Sequence, residues 1–120
     1  MATVLVVDDE FGIAELFEAV LTDEGYRVLS ATNGKYGLEV LAQERVDLMF
    51  LDYMMPVMDG AAMLSAMTGD PNMQNVPIVL MSSMSETAAA ERCSGYTFFM
   101  RKPFNLTEVV DLTEGLLRKK

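Results

Sequence analysis

"DLMFLDYMMPVMDG", residues 47–60, carries four apolar residues in a row, Leu48 to Leu51, and then a carboxylate, Asp52. A strand with one face in water alternates apolar and polar side chains. An uninterrupted apolar run fits a strand covered on both faces, as in a parallel sheet. After Asp52 a loop runs from Met54 to Gly60, with Pro56 and Gly60 as turn formers. Met63, Leu64 and Met67 then fall on one face of a helix. The stretch reads as strand, loop and helix, with a charge set at the carboxyl tip of a buried strand.

The same unit recurs on either side. "TVLVV" (3–7) is a short β-branched run, followed by Ile13, Leu16, Phe17, Val20 and Leu21, spaced for one helical face and ended by Gly25. "YRVLSA" (26–31) predicts a second strand, Asn33-Gly34 a turn, and the segment through Leu38 and Leu41 to about Glu44 a helix. Beyond the opening stretch, "GDPN" (69–72) breaks the third helix and "VPIVLM" (76–81) forms a fourth strand, with Pro77 tolerable near its start. "SETAAAERC" (85–93) is a short Ala-rich helix and "YTFFM" (96–100) a fifth strand. Asn105 and Glu108 have capping-box spacing ahead of a last helix, with Val109, Leu112, Leu116 and Leu117 as its apolar face. Five strand–helix units in alternation predict an α/β fold, a (βα)5 doubly wound parallel sheet with right-handed crossovers.

The chain has 120 residues, 51% hydrophobic and 22% charged. That suits one domain over residues 1–120, with a real core and no room for a second. No apolar run reaches the roughly 20 residues that span a bilayer, and "MATVLVVDDE" lacks the basic start of a signal peptide. One cysteine, Cys93, makes no internal disulfide, so a reducing cytoplasm is the expected setting. The net charge of −9, without a basic stripe, argues against nucleic acid as a partner. The basic "RKK" at 118–120 suits the negative end of the last helix. The chain has no histidine, which removes Ser-His-Asp and Cys-His catalysis and every His-ligated metal site. Ten of the eleven methionines lie at or after residue 49, and core filling is the expected role for most.

In open α/β sheets the functional crevice lies beyond the carboxyl ends of the strands. Strand one ends there in Asp8, Asp9 and Glu10, strand three in Asp52, strand four in Ser82 and Ser83, and strand five in Arg101 and Lys102. Each has a bland reading alone: acids often begin a helix, a serine pair often makes a turn, and a lysine before proline is usually a surface residue. Their coincidence at one end of one sheet points to function. Asp8, Asp9, Asp52 and Lys102 sum to −2. Two carboxylates at about 4 Å repel by about 4 kcal/mol at an effective dielectric near 20. Such a cluster holds protons or takes a cation, and hard oxygen donors favour Mg2+, with Mn2+ or Ca2+ next. Flavin binding fits poorly, because three acids stand where the phosphate-binding loop belongs.

"LVVDDE", "DLMFLDYMMPVMDG", "PIVLMSS" and "FFMRKPF", in this order, resemble the receiver domain of two-component response regulators, and together they frame nearly the whole chain. The resemblance is nearest to single-domain receivers of the chemotaxis type. It implies the flavodoxin-like receiver fold with strand order 2-1-3-4-5. It also implies a phosphoacceptor at Asp52, an acidic pair for Mg2+ at Asp8 and Asp9, and the backbone carbonyl of Met54 as a further metal ligand. Ser82 is then the hydroxyl that bonds a phosphoryl oxygen, Lys102 the cation that pairs with another, and Phe99 the aromatic switch residue. The bond from Lys102 to Pro103 is expected to be cis. The implied donor is the phosphohistidine of a histidine kinase or a histidine phosphotransfer protein, and the protein is expected to be a switch rather than an enzyme.

This sequence departs from that pattern in places. The fourth helix looks short, with about two residues fewer between Ser82 and Lys102 than the chemotaxis type, and Tyr96 follows Gly95 where that type has a small residue. Met54 and Met84, two residues past Asp52 and Ser82, cannot orient an attacking water by hydrogen bonding, so slow self-dephosphorylation is expected. Two other readings are a Mg2+-dependent phosphohydrolase with an aspartate nucleophile and an interaction module of this fold that is never phosphorylated. The first needs a second acid two residues after Asp52, where Met54 stands.

Overall fold

A computed structural model describes residues 1–118. Its elements alternate as the sequence predicts: β1 (Thr3–Val7), α1 (Phe11–Asp23), β2 (Arg27–Ala31), α2 (Gly34–Gln43), β3 (Leu48–Asp52), α3 (Gly60–Thr68), β4 (Ile78–Ser82), α4 (Glu86–Ala90), β5 (Phe98–Arg101) and α5 (Leu106–Arg118). A single 3-10 turn, Pro71–Met73, lies between α3 and β4. All strand pairs are parallel and the order is β2-β1-β3-β4-β5. Among the described residues no helix is long and apolar enough to cross a membrane. Lys119 and Lys120, expected to complement the end of the last helix, lie outside the described residues; Arg118 stands in its last turn.

Strand side chains alternate between two apolar layers, as the pleat requires. Val4, Val6, Leu48, Phe50, Val79 and Met81 face α1 and α5, meeting Phe17, Leu21, Val109 and Leu112. Leu5, Val7, Met49, Leu51, Ile78 and Leu80 face the other helices, meeting Leu38, Met63, Leu64, Met67 and Ala89. Coverage on both sides is why β1, β3 and β4 are buried at every position and show no alternation in sequence. Phe17 packs edge-on against Phe50, with ring centroids 4.9 Å apart. Six methionines, at 49, 63, 67, 73, 81 and 100, are core residues, as expected for most of this set.

The helix ends are fixed by side chains visible in the sequence. Asn105 and Glu108 form the reciprocal capping box: the Glu108 amide donates to Asn105 Oδ1 at 2.9 Å, and the Asn105 amide to Glu108 Oε1 at 3.3 Å. Gly25, at φ +93°, follows α1 in the left-handed conformation that glycine adopts freely.

The structure corrects four local readings. Asn33-Gly34 is not a turn: Asn33 is the N-cap of α2, its Oδ1 accepting from the Tyr36 amide, and Gly34 is the first helical residue. Leu16 does not join the buried stripe of α1 and is 49% exposed, because only Phe17 and Leu21 of this helix reach the sheet fully. Strands four and five begin two residues later than their apolar runs, at Ile78 and Phe98: Pro77 cannot donate to the ladder, and the Ile78 amide donates to the Thr97 hydroxyl at 3.0 Å rather than to a backbone carbonyl of the fifth strand. The fourth helix keeps only five residues of its Ala-rich segment.

Candidate functional site

Parallel register delivers the polar residues to one end of the sheet. Asp52, the last residue of β3, stands beside Met81 of β4, and Ser82 stands beside Arg101 of β5. The ladder runs one residue past the strands: the Asp8 amide donates to Ala31 O at 3.1 Å, Tyr53 to Met81 O at 2.9 Å, and Lys102 to Ser82 O at 2.8 Å. The backbones of Asp8, Asp52, Ser82 and Lys102 are therefore held by the sheet, not by mobile loops. The Lys102–Pro103 peptide bond is cis.

Asp8, Asp9 and Asp52 can each bring a carboxylate oxygen within 4.8 Å of the others. Asp8 and Asp52 are almost wholly buried, at 2% and 5% exposure, and Asp9 is exposed. Lys102 Nζ lies 3.2 Å from Asp8 Oδ2, 3.2 Å from Asp52 Oδ1 and 3.5 Å from Glu10 Oε1. The third acid of "DDE" thus enters the cluster, and the local sum of Asp8, Asp9, Glu10, Asp52 and Lys102 is −3 rather than −2. In the sequence Glu10 stands at the strand end with no role of its own. No short-range signal marks it, because its partner is 92 residues away.

Burial and crowding set the protonation of these groups. Burial, then the charges of Asp8 and Asp9, push the Asp52 carboxyl up to about 6 against the pull of Lys102. Burial also raises Asp8, opposed by the Glu10 amide that donates to its Oδ1 and by Lys102. Burial by itself lowers Lys102, but the charges of Asp52 and Asp8 outweigh it and raise it, so the ammonium stays charged. A buried carboxyl that holds its proton this far above the usual range is one whose negative charge lacks compensation. An oxygen-only donor set with that deficit fits a hard dication such as Mg2+.

Ser82 is buried, and its Oγ accepts from the Met84 amide at 3.0 Å. Phe99 is half-buried against the apolar layer under α4, with its ring centroid 6.4 Å from that of Tyr96. Tyr96 reaches α4 through its hydroxyl, which donates to Glu86 Oε2 at 3.1 Å. Met54 lies two residues past Asp52 and is 66% exposed.

The loop after Asp52 is pinned at both ends. The Gly60 amide donates to Tyr53 O at 2.9 Å, and the Gly34 amide to Met58 O at 3.0 Å. Asp59 caps α3, its Oδ1 accepting from the Ala62 amide at 2.9 Å. A Cβ on Gly60 would lie 2.8 Å from Asp52 O and 3.0 Å from Tyr53 Cα, both backbone atoms. Gly60→Ala is therefore expected to cost about 2 kcal/mol and to displace Asp52. Chemical denaturation should show the loss, and an unchanged midpoint would contradict this close approach.

The model of the response regulator receiver domain family matches residues 4–114. The chain belongs to this family. Receiver domains are typically regulatory switches phosphorylated on an aspartate, and they bind Mg2+ at an acidic site. The chain is 32% identical over 116 residues to the sporulation initiation phosphotransferase F of Bacillus subtilis, covering 95% of this chain and 92% of that one. It is 35% identical over 119 residues to the transcriptional activator protein PfeR of Pseudomonas aeruginosa, covering 96% of this chain but only 37% of the activator's length. Among solved structures, response regulator protein TrrA of Thermotoga maritima, in complex with Mg(2+)-BeF, superposes with a TM-score of 0.85. It shares 29% identity, and the match covers 98% of this chain and all of that one.

Proposed function

We propose that this receiver domain, taken as residues 1–120, is the phosphoacceptor switch of a cytoplasmic two-component phosphorelay, with Asp52 as its nucleophile. The observation that carries this reading is the convergence on one well of two buried carboxylates, a third exposed one and an ammonium 3.2 Å from both buried acids. The donor is a phosphohistidine on a histidine kinase or phosphotransfer protein. An ionised Asp52 oxygen attacks phosphorus, the histidine nitrogen–phosphorus bond breaks, and the nitrogen leaves with the electron pair. These 120 residues contain no histidine, so the phosphohistidine lies outside them.

Asp8, Asp9, Asp52 and the carbonyl of Met54 are the residues that would hold Mg2+. When bound it supplies positive charge against the phosphoryl oxygens. Lys102 neutralises part of the charge that develops on those oxygens, and the Ser82 hydroxyl donates to one of them. The new acceptor oxygens draw Ser82 inward, Phe99 turns into the space it leaves, and the face of α4, β5 and α5 changes for a downstream partner.

Beryllofluoride with Mg2+ imitates the phosphoryl group and tests the assignment. Amide resonances of Ser82, Phe99 and Lys102 are expected to shift on its addition; a spectrum that does not change would overturn the reading. Met54 offers water no hydrogen-bonding group, so the phosphoryl group should be long-lived. Met54→Asn is expected to shorten its lifetime roughly tenfold by giving the attacking water a partner. A wild-type lifetime already as short as the variant's would contradict this.

A further inference from the structure

We infer that Glu10 is a positioning residue: in the resting protein it occupies the third N–H of the Lys102 ammonium, and it yields that place to a phosphoryl oxygen on Asp52. This rests on the reading of Asp52 as phosphoacceptor. A lysine ammonium has three donors and no acceptor. Here three carboxylates surround it, from Asp8 and Asp52 at 3.2 Å and from Glu10 at 3.5 Å. Each additional acceptor that arrives with a phosphoryl group must displace one of them.

The three differ in what release would cost. Asp8 is 2% exposed, so freeing Lys102 from it would leave a buried charge without its cation. Asp52 carries the phosphoryl group itself. The Glu10 side chain is 64% exposed and makes the longest contact, so water can replace its partner at little cost. A second observation separates Glu10 from an ordinary helix start. It stands at the N-cap of α1, but its carboxylate accepts no amide of the first turn. Its backbone is fixed there, its amide donating to Asp8 Oδ1 at 2.9 Å, while the carboxylate turns to Lys102.

Because Glu10 competes with the phosphoryl group for one donor, removing it favours the phosphorylated form. At saturating Mg2+, Glu10→Gln is expected to bind beryllofluoride about two- to fivefold more tightly than wild type, the range an exposed ion pair supports. Glu10→Asp keeps the charge but is one methylene too short to reach, and is expected to tighten binding in the same way. The side chain is exposed and caps nothing, so neither change threatens the fold. Equal or weaker binding by Glu10→Gln overturns the inference. So does a Glu10→Asp variant that matches wild type while Glu10→Gln binds more tightly, since that pattern needs only long-range charge. A wild-type chain that fails to bind beryllofluoride overturns instead the assignment of Asp52.

Discussion

Incubated at neutral pH with Mg2+ and a small-molecule phosphodonor, the wild-type chain is expected to take up one phosphoryl group, and Asp52→Asn about a hundredth as much or less. The size follows from removing the nucleophile: no other acid in the well has the same placement, and each lost factor of ten is about 1.4 kcal/mol of barrier. Asp52 ends β3 inside the sheet, whereas Asp9 is exposed and Asp8 is held by Lys102 and the Glu10 amide. The attacking group must be ionised, and burial raises Asp52 to about 6. The labelling rate should therefore fall as pH drops through that region when Mg2+ is limiting, and at lower pH when Mg2+ saturates the site. Labelling of Asp52→Asn at the wild-type rate would end the assignment.

The second large effect is on stability. In metal-free buffer at pH 7.5, Asp52→Asn is expected to melt about 6–18 °C above wild type. Asp52 has its carboxyl raised from 3.8 to about 6 in the folded protein. Between those values the folded state binds more proton than the unfolded chain, so stability falls as pH rises through the window. The full cost, about 2–3 kcal/mol, is present above pH 6. Replacing the carboxylate with a neutral amide removes that cost, and for a domain of this size each kilocalorie is worth roughly 3–6 °C. The gap should close near pH 4, where wild-type Asp52 is protonated. It should also narrow in excess Mg2+, which stabilises the form that binds it. A variant that melts at or below wild type at pH 7.5 would show that the buried charge is already compensated within the protein.

Glu10 and Asp52 illustrate what the chain makes legible and what it hides. Asp52 stood out because a charge at the end of an apolar run breaks a local pattern. So did the cap formed by Asn105 and Glu108, whose partners are three residues apart and obey helix geometry. Asn33 is ambiguous in the sequence, because asparagine before glycine serves equally as a turn and as an N-cap, and only the path of α2 decides between them. Leu16 fits the helical period, but how wide a stripe of α1 the sheet covers depends on the packing of two elements. The ammonium with three acids around it joins residues 8, 10, 52 and 102, and nothing in the spacing between them indicates which acids it meets.

The order of residues alone dictates the alternation of strands and helices, the burial of the central strands and the set of polar residues at their tips. Hydrophobic period and turn chemistry are local, and they act over a few residues. The distances in the well, the raised proton affinity of Asp52 and the place of Glu10 beside Lys102 arise only when the chain is packed. Those depend on which charges share a low-dielectric pocket, and that is settled when five strands pair in one register.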